Sequence, residues 1–288
     1  MDIDMPPVVL VHGFWHGSWC WNLITEELAH RGIASVAVDL EGHGLNSRSP
    51  SSRWSRPFIN PDTYATEPSP TTATTATSAA ATLAEQLRRI GRGGPCVLVA
   101  HSMGGVVATL VAEQAPELVS EIVFVAAFAP VGGVPCAAYF LTPEQEGSLV
   151  THQLCGDPAV IGALRYDTGD HDQHDVIRQT FFNDVDPVTA QAAIALLTPD
   201  GPAGIAGEAF TVTRERFGSI PRTYVVCMQD NVVWPALQRR MIAEIDAVST
   251  QPTTVIELDC SHSPFLSQPI ALADAIQARR VPIFGSQR

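Results

Sequence analysis

Lysine is absent from this chain. All 17 basic residues among its 288 are arginine, which excludes any mechanism built on a lysine Schiff base or a lysine ammonium. Basic side chains are scarce as a class. The 30 Asp and Glu leave a formal net charge of −13, a poor match for nucleic acid or an anionic membrane surface. No run is long and apolar enough to span a bilayer. The opening residues, MDIDMPPVVLVHG, carry neither a basic n-region nor a cleavage pattern. No signal peptide is therefore expected, and a cytoplasmic location follows. None of the six cysteines forms a C-x-x-C pair or a zinc-type spacing. Reduced thiols are expected, with Cys96 and Cys227 acting as small core hydrophobes.

Material for a core is plentiful: 45% of residues are apolar and only 16% charged. Short, nearly continuous apolar runs recur at Val8–Val11, Ile33–Val38, Pro95–Ala100, Ile122–Ala127, Thr223–Met228 and Thr254–Leu258. Helical spacing fills Trp21–His30, Met103–Ala115, Pro235–Ile245 and Pro269–Arg279. Two of these open on proline, and the first closes at Gly32. Alternating strands and helices with unbroken apolar strands predict an α/β fold, its parallel sheet covered on both faces. Two stretches interrupt the alternation. Ser47–Ala81, rich in Ser, Thr, Pro and Ala, reads first as a long surface loop and then as the start of a helix reaching Ile90. Residues 130–220 fall between two strands, and an insertion there suits a cap over the strands' carboxyl ends. The expected division is a core of residues 1–129 and 221–288 and a cap of 130–220. There is no internal repeat.

Strand PCVLVA runs into His101-Ser102-Met103-Gly104-Gly105 and then a helix. This is the context of a nucleophile elbow, in which a sharp turn lifts a serine hydroxyl above a sheet. Ala100 stands where the G-x-S-x-G pattern has glycine, and a plain helix N-cap is the competing reading of Ser102. On the α/β-hydrolase fold the order is serine, acid, histidine. Asp230 follows the strand TYVVCM and His262 follows TTVIEL. Both then lie at strand carboxyl ends, on the edge that carries Ser102. Histidine would take the serine proton, and aspartate would fix its tautomer. Rival acids fail: Phe128–Gly133 holds no carboxylate, Asp259 reads as a turn residue, and Glu257 points outward from its strand. The loop His12-Gly13-Phe14-Trp15-His16-Gly17 sits where an oxyanion hole belongs, with backbone N–H donors from Phe14 and Met103. Such donors are each worth about 2.7–4 kcal/mol.

His12, His16, His43 and His101 read as structural histidines that brace loops. The run Asp170-His171-Asp172-Gln173-His174-Asp175 reads as a solvated polar loop more readily than as a metal site, so neither metal nor cofactor is expected. Trp15, Phe128, Tyr139 and Phe265 are candidates for the lining of an apolar substrate pocket.

The segments VLVHGFWHGSWCW, RERFGSIPRTYVVCMQD with the following PALQRRMI, and DCSHSPFLSQP resemble the plant methylesterase and hydroxynitrile lyase family. The likeness covers most of the chain and is weakest over Ser47–Ala81 and the cap. It implies an α/β-hydrolase fold, the triad Ser102–Asp230–His262, hole donors at Phe14 and Met103, and a possible homodimer. Lyases of this family carry threonine and lysine where this chain has Gly13 and Ser263, so the resemblance points to the esterase branch. Hydrolases with an aspartate at the elbow are disfavoured by Ser102. The leading expectation is a serine carboxylesterase acting on a small or apolar ester. A lactonase of secondary metabolism and a receptor-like binder with a little-used triad remain as alternatives.

Overall fold

The computed structural model describes residues 5–54 and 60–278. Residues 1–4, the middle of the Ser47–Ala81 stretch and Arg279, the expected end of the last helix, lie outside them. In chain order the described elements are β1 (Val8–Val11), α1 (Asn22–His30), β2 (Ser35–Val38), α2 (Pro61–Thr66), α3 (Ala76–Ile90), β3 (Cys96–His101), α4 (Gly104–Gln114) and β4 (Val119–Val125). Between β4 and the next sheet strand come α5 (Cys136–Tyr139), α6 (Pro158–Ile161), β5 (Ala163–Arg165), α7 (His174–Phe181), α8 (Pro187–Leu196), β6 (Asp200–Pro202) and α9 (Ala203–Gly207). The chain then returns through β7 (Arg222–Cys227), α10 (Pro235–Ala247), β8 (Thr254–Leu258), α11 (Pro264–Ser267) and α12 (Pro269–Gln277).

Six strands form one sheet in the order β2-β1-β3-β4-β7-β8, and every pairing is parallel. Alternate residues feed opposite faces, as the pleat requires. Val9, Val11, Leu98, Ala100, Phe124 and Val226 pack with α3, α4 and α10. Val8, Leu10, Val97, Val99, Val123, Val125 and Cys227 pack with α1 and α12. Because both faces are buried, the central strands have no polar face, which is why they read as unbroken apolar runs. The register aligns the carboxyl ends: Val11 lies opposite Ala100, His101 opposite Val125 and Cys227 opposite Leu258. The loops after β1, β3, β7 and β8 therefore leave one common edge.

The stretch expected to begin as a surface loop is more ordered than that. Around residues 55–59 it forms a short 3-10 turn at Ser51–Trp54 and helix α2. Glu67 accepts both backbone and hydroxyl hydrogen bonds from Ser51 and Ser52. Burial raises its pKa, but these bonds outweigh that effect and hold it at about 2. A buried guanidinium ties the same stretch to the β5–β6 hairpin. Arg165 on β5 donates to both carboxylate oxygens of Asp200 on β6, at 2.6 and 2.8 Å, and to the carbonyls of Tyr64 and Glu67. No sequence period announces such a stitch, since each partner lies in a different segment. Removing one member of a buried ion pair strands the other charge, at a cost of about 3–5 kcal/mol. Arg165→Met should lose that much stability in urea unfolding. An unchanged midpoint would show that Asp200 finds another partner.

Candidate active site

The residues expected to carry chemistry converge on the common edge of the sheet. Ser102 follows β3 with φ +51, a left-handed conformation that costs a residue with a side chain. Its N–H donates to Val125 O and its carbonyl accepts from Gly105 and Phe128 N–H, which hold the turn. The two glycines after Met103 are close approaches. A Cβ at Gly104 would stand 2.4 Å from His12 O, and one at Gly105 would stand 2.4 Å from Phe128 O. Small residues are therefore required just after the serine. Before it, Ala100 is accommodated as a fully buried residue in the middle of the sheet.

His262 and Asp230 are buried, and His262 stands next to His101, the residue before Ser102, with its carbonyl 2.8 Å from His101 Nε2 and the two rings 4.4 Å apart. His262 Nδ1 lies 2.8 Å from Asp230 Oδ2; facing a carboxylate it donates, which leaves Nε2 to accept a proton. Asp230 Oδ1 accepts the N–H groups of Val232 and Val233 at 2.7 and 2.9 Å. Gln238 on α10 locks the arrangement from below. Its amide nitrogen shares its two hydrogens among Val233 O, Cys227 O and Asp230 Oδ2, at 2.7, 3.1 and 3.3 Å, and its Oε1 accepts Cys227 N–H. Sequence reasoning gave Gln238 no role. A glutamine on the otherwise apolar buried face of α10 was the available signal. Asp259, read as a turn residue, is exposed and accepts from Gln229.

The loop after β1 faces the serine. A Cβ at Gly13 would stand 2.6 Å from Ser102 Cβ, so the loop lies directly against the nucleophile. Among the described residues no acceptor takes the N–H of Phe14 or Met103, and both residues border the cavity above Ser102. Trp15, at φ +63, anchors the loop. Its indole N–H donates to Leu164 O at 2.9 Å, and its carbonyl accepts Thr198 N–H at 2.7 Å.

Four further histidines surround the site as neutral braces. His12 pairs through Nδ1 with Gly13 O, and its Nε2 accepts Leu40 N–H. Nδ1 of His16 and of His43 pairs with the carbonyls of Phe14 and Glu41, and His101 Nε2 pairs with His262 O. Burial pushes His12 down to about 4 and His16 and His43 to about 3. Burial and then the neighbouring His262 hold His101 well below the ordinary imidazole range. In the 170–175 run, both ring nitrogens of His174 are engaged, by Thr168 O and by the Gln191 side chain.

The cavity is lined by Phe14, Trp15, Ser102, Met103, Phe128, Phe140, Val150 and Val232. Two expected lining residues lie elsewhere. Tyr139 turns away, its hydroxyl donating to Glu244 at 2.6 Å and its ring under the Arg240 guanidinium. Neighbouring residues of one helical turn point in different directions, so Phe140 takes the wall position instead. Phe265 packs beneath the site, edge-on to His101 at 4.9 Å and against Trp21. Val150 and Val232 were not anticipated; only the closeness of Val232 to Asp230 pointed that way. The free space above Ser102 is about 10 Å³, room for no more than one water.

Residues 8–275 match the sequence profile of the alpha/beta hydrolase family. The chain is 27% identical over 286 residues to Methylesterase 9 of Arabidopsis thaliana, with 94% of this chain and 97% of that protein covered. It is 27% identical over 275 residues to Methyl jasmonate esterase 1 of Vitis vinifera, covering 93% and 94%. Among solved structures, a pyrethroid hydrolase superposes with a TM-score of 0.74 at 23% identity, covering 96% of this chain and 97% of the other. A methylesterase from Arabidopsis superposes with a TM-score of 0.69 at 20% identity, covering 95% and 98%.

Proposed function

This chain belongs to the alpha/beta hydrolase family, and from that premise we propose that it is a serine carboxylesterase working through an acyl-enzyme. The observation that carries the reading is the turn at Ser102. A serine held at positive φ faces two unpaired backbone donors in an apolar cavity, beside a buried His–Asp pair. His262 Nε2 takes the serine proton as Ser102 Oγ attacks the ester carbonyl. The N–H groups of Phe14 and Met103 receive the developing oxyanion, where a fixed dipole in a dry site is most effective. His262 returns the proton to the leaving alkoxide. It then takes a proton from water as that water attacks the acyl carbonyl, and gives the proton to Ser102 Oγ as the acyl C–Oγ bond breaks, releasing the acid and restoring Ser102. Asp230 keeps Nδ1 protonated throughout.

Apart from Ser102, every side chain lining the cavity is apolar, which favours a small-molecule ester or lactone with an uncharged, aliphatic or aromatic acyl part. The names of the methylesterase relatives favour a small alcohol. A lyase reading is disfavoured at Gly13, where even a Cβ would meet Ser102, and by the absence of lysine. On this reading residues 130–220 serve as the cap. The test is covalent: an alkyl fluorophosphonate should phosphonylate Ser102 and stop turnover of p-nitrophenyl acetate. Modification at another residue, or none, would overturn the assignment.

A further inference from the structure

The 130–220 insertion contributes two walls to the cavity, Phe140 and Val150. The space above Ser102 is too small for an ester, so substrate entry requires a wall to move, and Phe140 and Val150 are the walls that the insertion supplies. The residues between those two walls do more than enclose. Gln145 Oε1 accepts Trp234 N–H at 3.0 Å, and its amide nitrogen donates to Val232 O. Ser148 Oγ also donates to Val232 O, at 2.8 Å, and Leu149 N–H donates to Asn231 O at 2.9 Å. Gln145 and Ser148 are themselves buried. Their partners are the residues that follow Asp230, and the N–H groups of Val232 and Val233 are the ones that grip Asp230 Oδ1. The same short loop is thus held on one side by the acid and on the other by the insertion.

We infer that Gln145 is a positioning residue, through which closure of the insertion over substrate sets the Asp230 loop and hence the orientation of His262. Lifting Phe140 and Val150 to admit substrate breaks the Gln145 and Ser148 bonds and frees the outer side of the loop. Gln238, which belongs to the core, stays in place and keeps the acid near its position. Reclosure restores the outer bonds and aligns the pair for proton transfer. The arrangement ties full catalytic geometry to the state in which water is excluded. The inference rests on the esterase reading.

The test uses Gln145→Met, which keeps the side-chain length and loses both hydrogen bonds. With p-nitrophenyl acetate, kcat should fall about ten- to a hundredfold, since small misplacements of a catalytic group cost that much. KM should stay near wild type, and fluorophosphonate labelling of Ser102 should slow in parallel with kcat. A kcat that is unchanged, or that rises because the cap opens more readily, overturns the inference. So does a rise in KM alone, which is the signature of a plain pocket wall. If Gln145→Met does not fold, Ser148→Ala decides the matter, because it removes the hydroxyl's bonds to Val232 O and Asn231 O and leaves Gln145 intact. There kcat should fall severalfold at constant KM, and an unchanged kcat overturns the inference. Failure of the wild type itself to hydrolyse esters or label at Ser102 would instead sink the esterase reading.

Discussion

Ser102→Ala should lower kcat for ester hydrolysis by about 10⁴- to 10⁶-fold, because nucleophile and base act as one unit. The substitution is mild for the fold. Alanine keeps the Cβ, and the bonds that hold the turn are made by the backbone N–H and carbonyl of residue 102. KM and the unfolding midpoint should therefore stay close to wild type while turnover disappears. Asp230→Asn provides the companion measurement. Asparagine can keep its oxygen on the Val232 and Val233 amides, now served by Oδ1. Its NH₂ would then face His262 Nδ1, where a carboxylate oxygen stands at 2.8 Å. That exchange of acceptor for donor drives the imidazole to the tautomer with its proton on Nε2, which cannot take the serine proton. The loss should be about 10⁴-fold. The double variant should be no worse than Ser102→Ala alone. Additive losses, or residual turnover in Ser102→Ala within tenfold of wild type, would remove Ser102 from the mechanism.

Acidification from pH 7.5 to 5 should cost this protein much of its stability. The cause is the set of neutral histidines around the site. In the unfolded chain each titrates near 6.5, whereas burial holds His12 at about 4 and His16 and His43 at about 3. Their folded pKa values are depressed, so below pH 6.5 the unfolded chain binds more protons and stability falls as pH falls. The loss begins at about 6.5 and is complete only below the folded values. At pH 5 each of the three contributes a loss of about 2 kcal/mol, and His101 moves in the same direction. A combined loss of about 6 kcal/mol rivals the whole stability of an ordinary domain. Urea unfolding at pH 7.5, 6.0 and 5.0 checks this, with proton uptake on unfolding measured at pH 5.5. A flat stability between pH 7 and 5 would mean that these imidazoles are solvated.

Much of the fold could be read from the residues because its central strands are buried on both faces and so appear as uninterrupted apolar runs. The positions of Ser102, Asp230 and His262 were legible because each lies just past a strand: Ser102 directly after β3, and Asp230 and His262 in the short turns after β7 and β8. Boundaries moved by a few residues. The helix expected from Met103 begins at Gly104, and β4 starts at Val119 instead of Ile122. Cavity walls were less legible. Tyr139 and Phe140 are indistinguishable by type or spacing, and only the packing of α5 decides which one faces Ser102. Gln145, Gln238 and Arg165 escaped notice because hydrogen bonds between distant segments leave no periodic mark. The Ser47–Ala81 stretch has loop-like composition, yet it is ordered from outside by Arg165 and from within by the Asn60 and Thr75 caps of its helices.

That external support bears on anyone who wishes to streamline this enzyme. The 60–67 stretch looks like the obvious piece to trim, being absent from the sheet and from the lining of the cavity above Ser102. Its Tyr64 and Glu67 carbonyls, however, are what one nitrogen of the Arg165 guanidinium bonds to in the interior. A deletion there would leave that nitrogen's hydrogens facing nothing, so the damage would surface on the hairpin and not at the cut. A minimised version has to delete the stretch and exchange Arg165 and Asp200 together for two apolar residues, a replacement that buried pairs often tolerate. The 60–67 stretch and the ion pair are, in engineering terms, a single removable part.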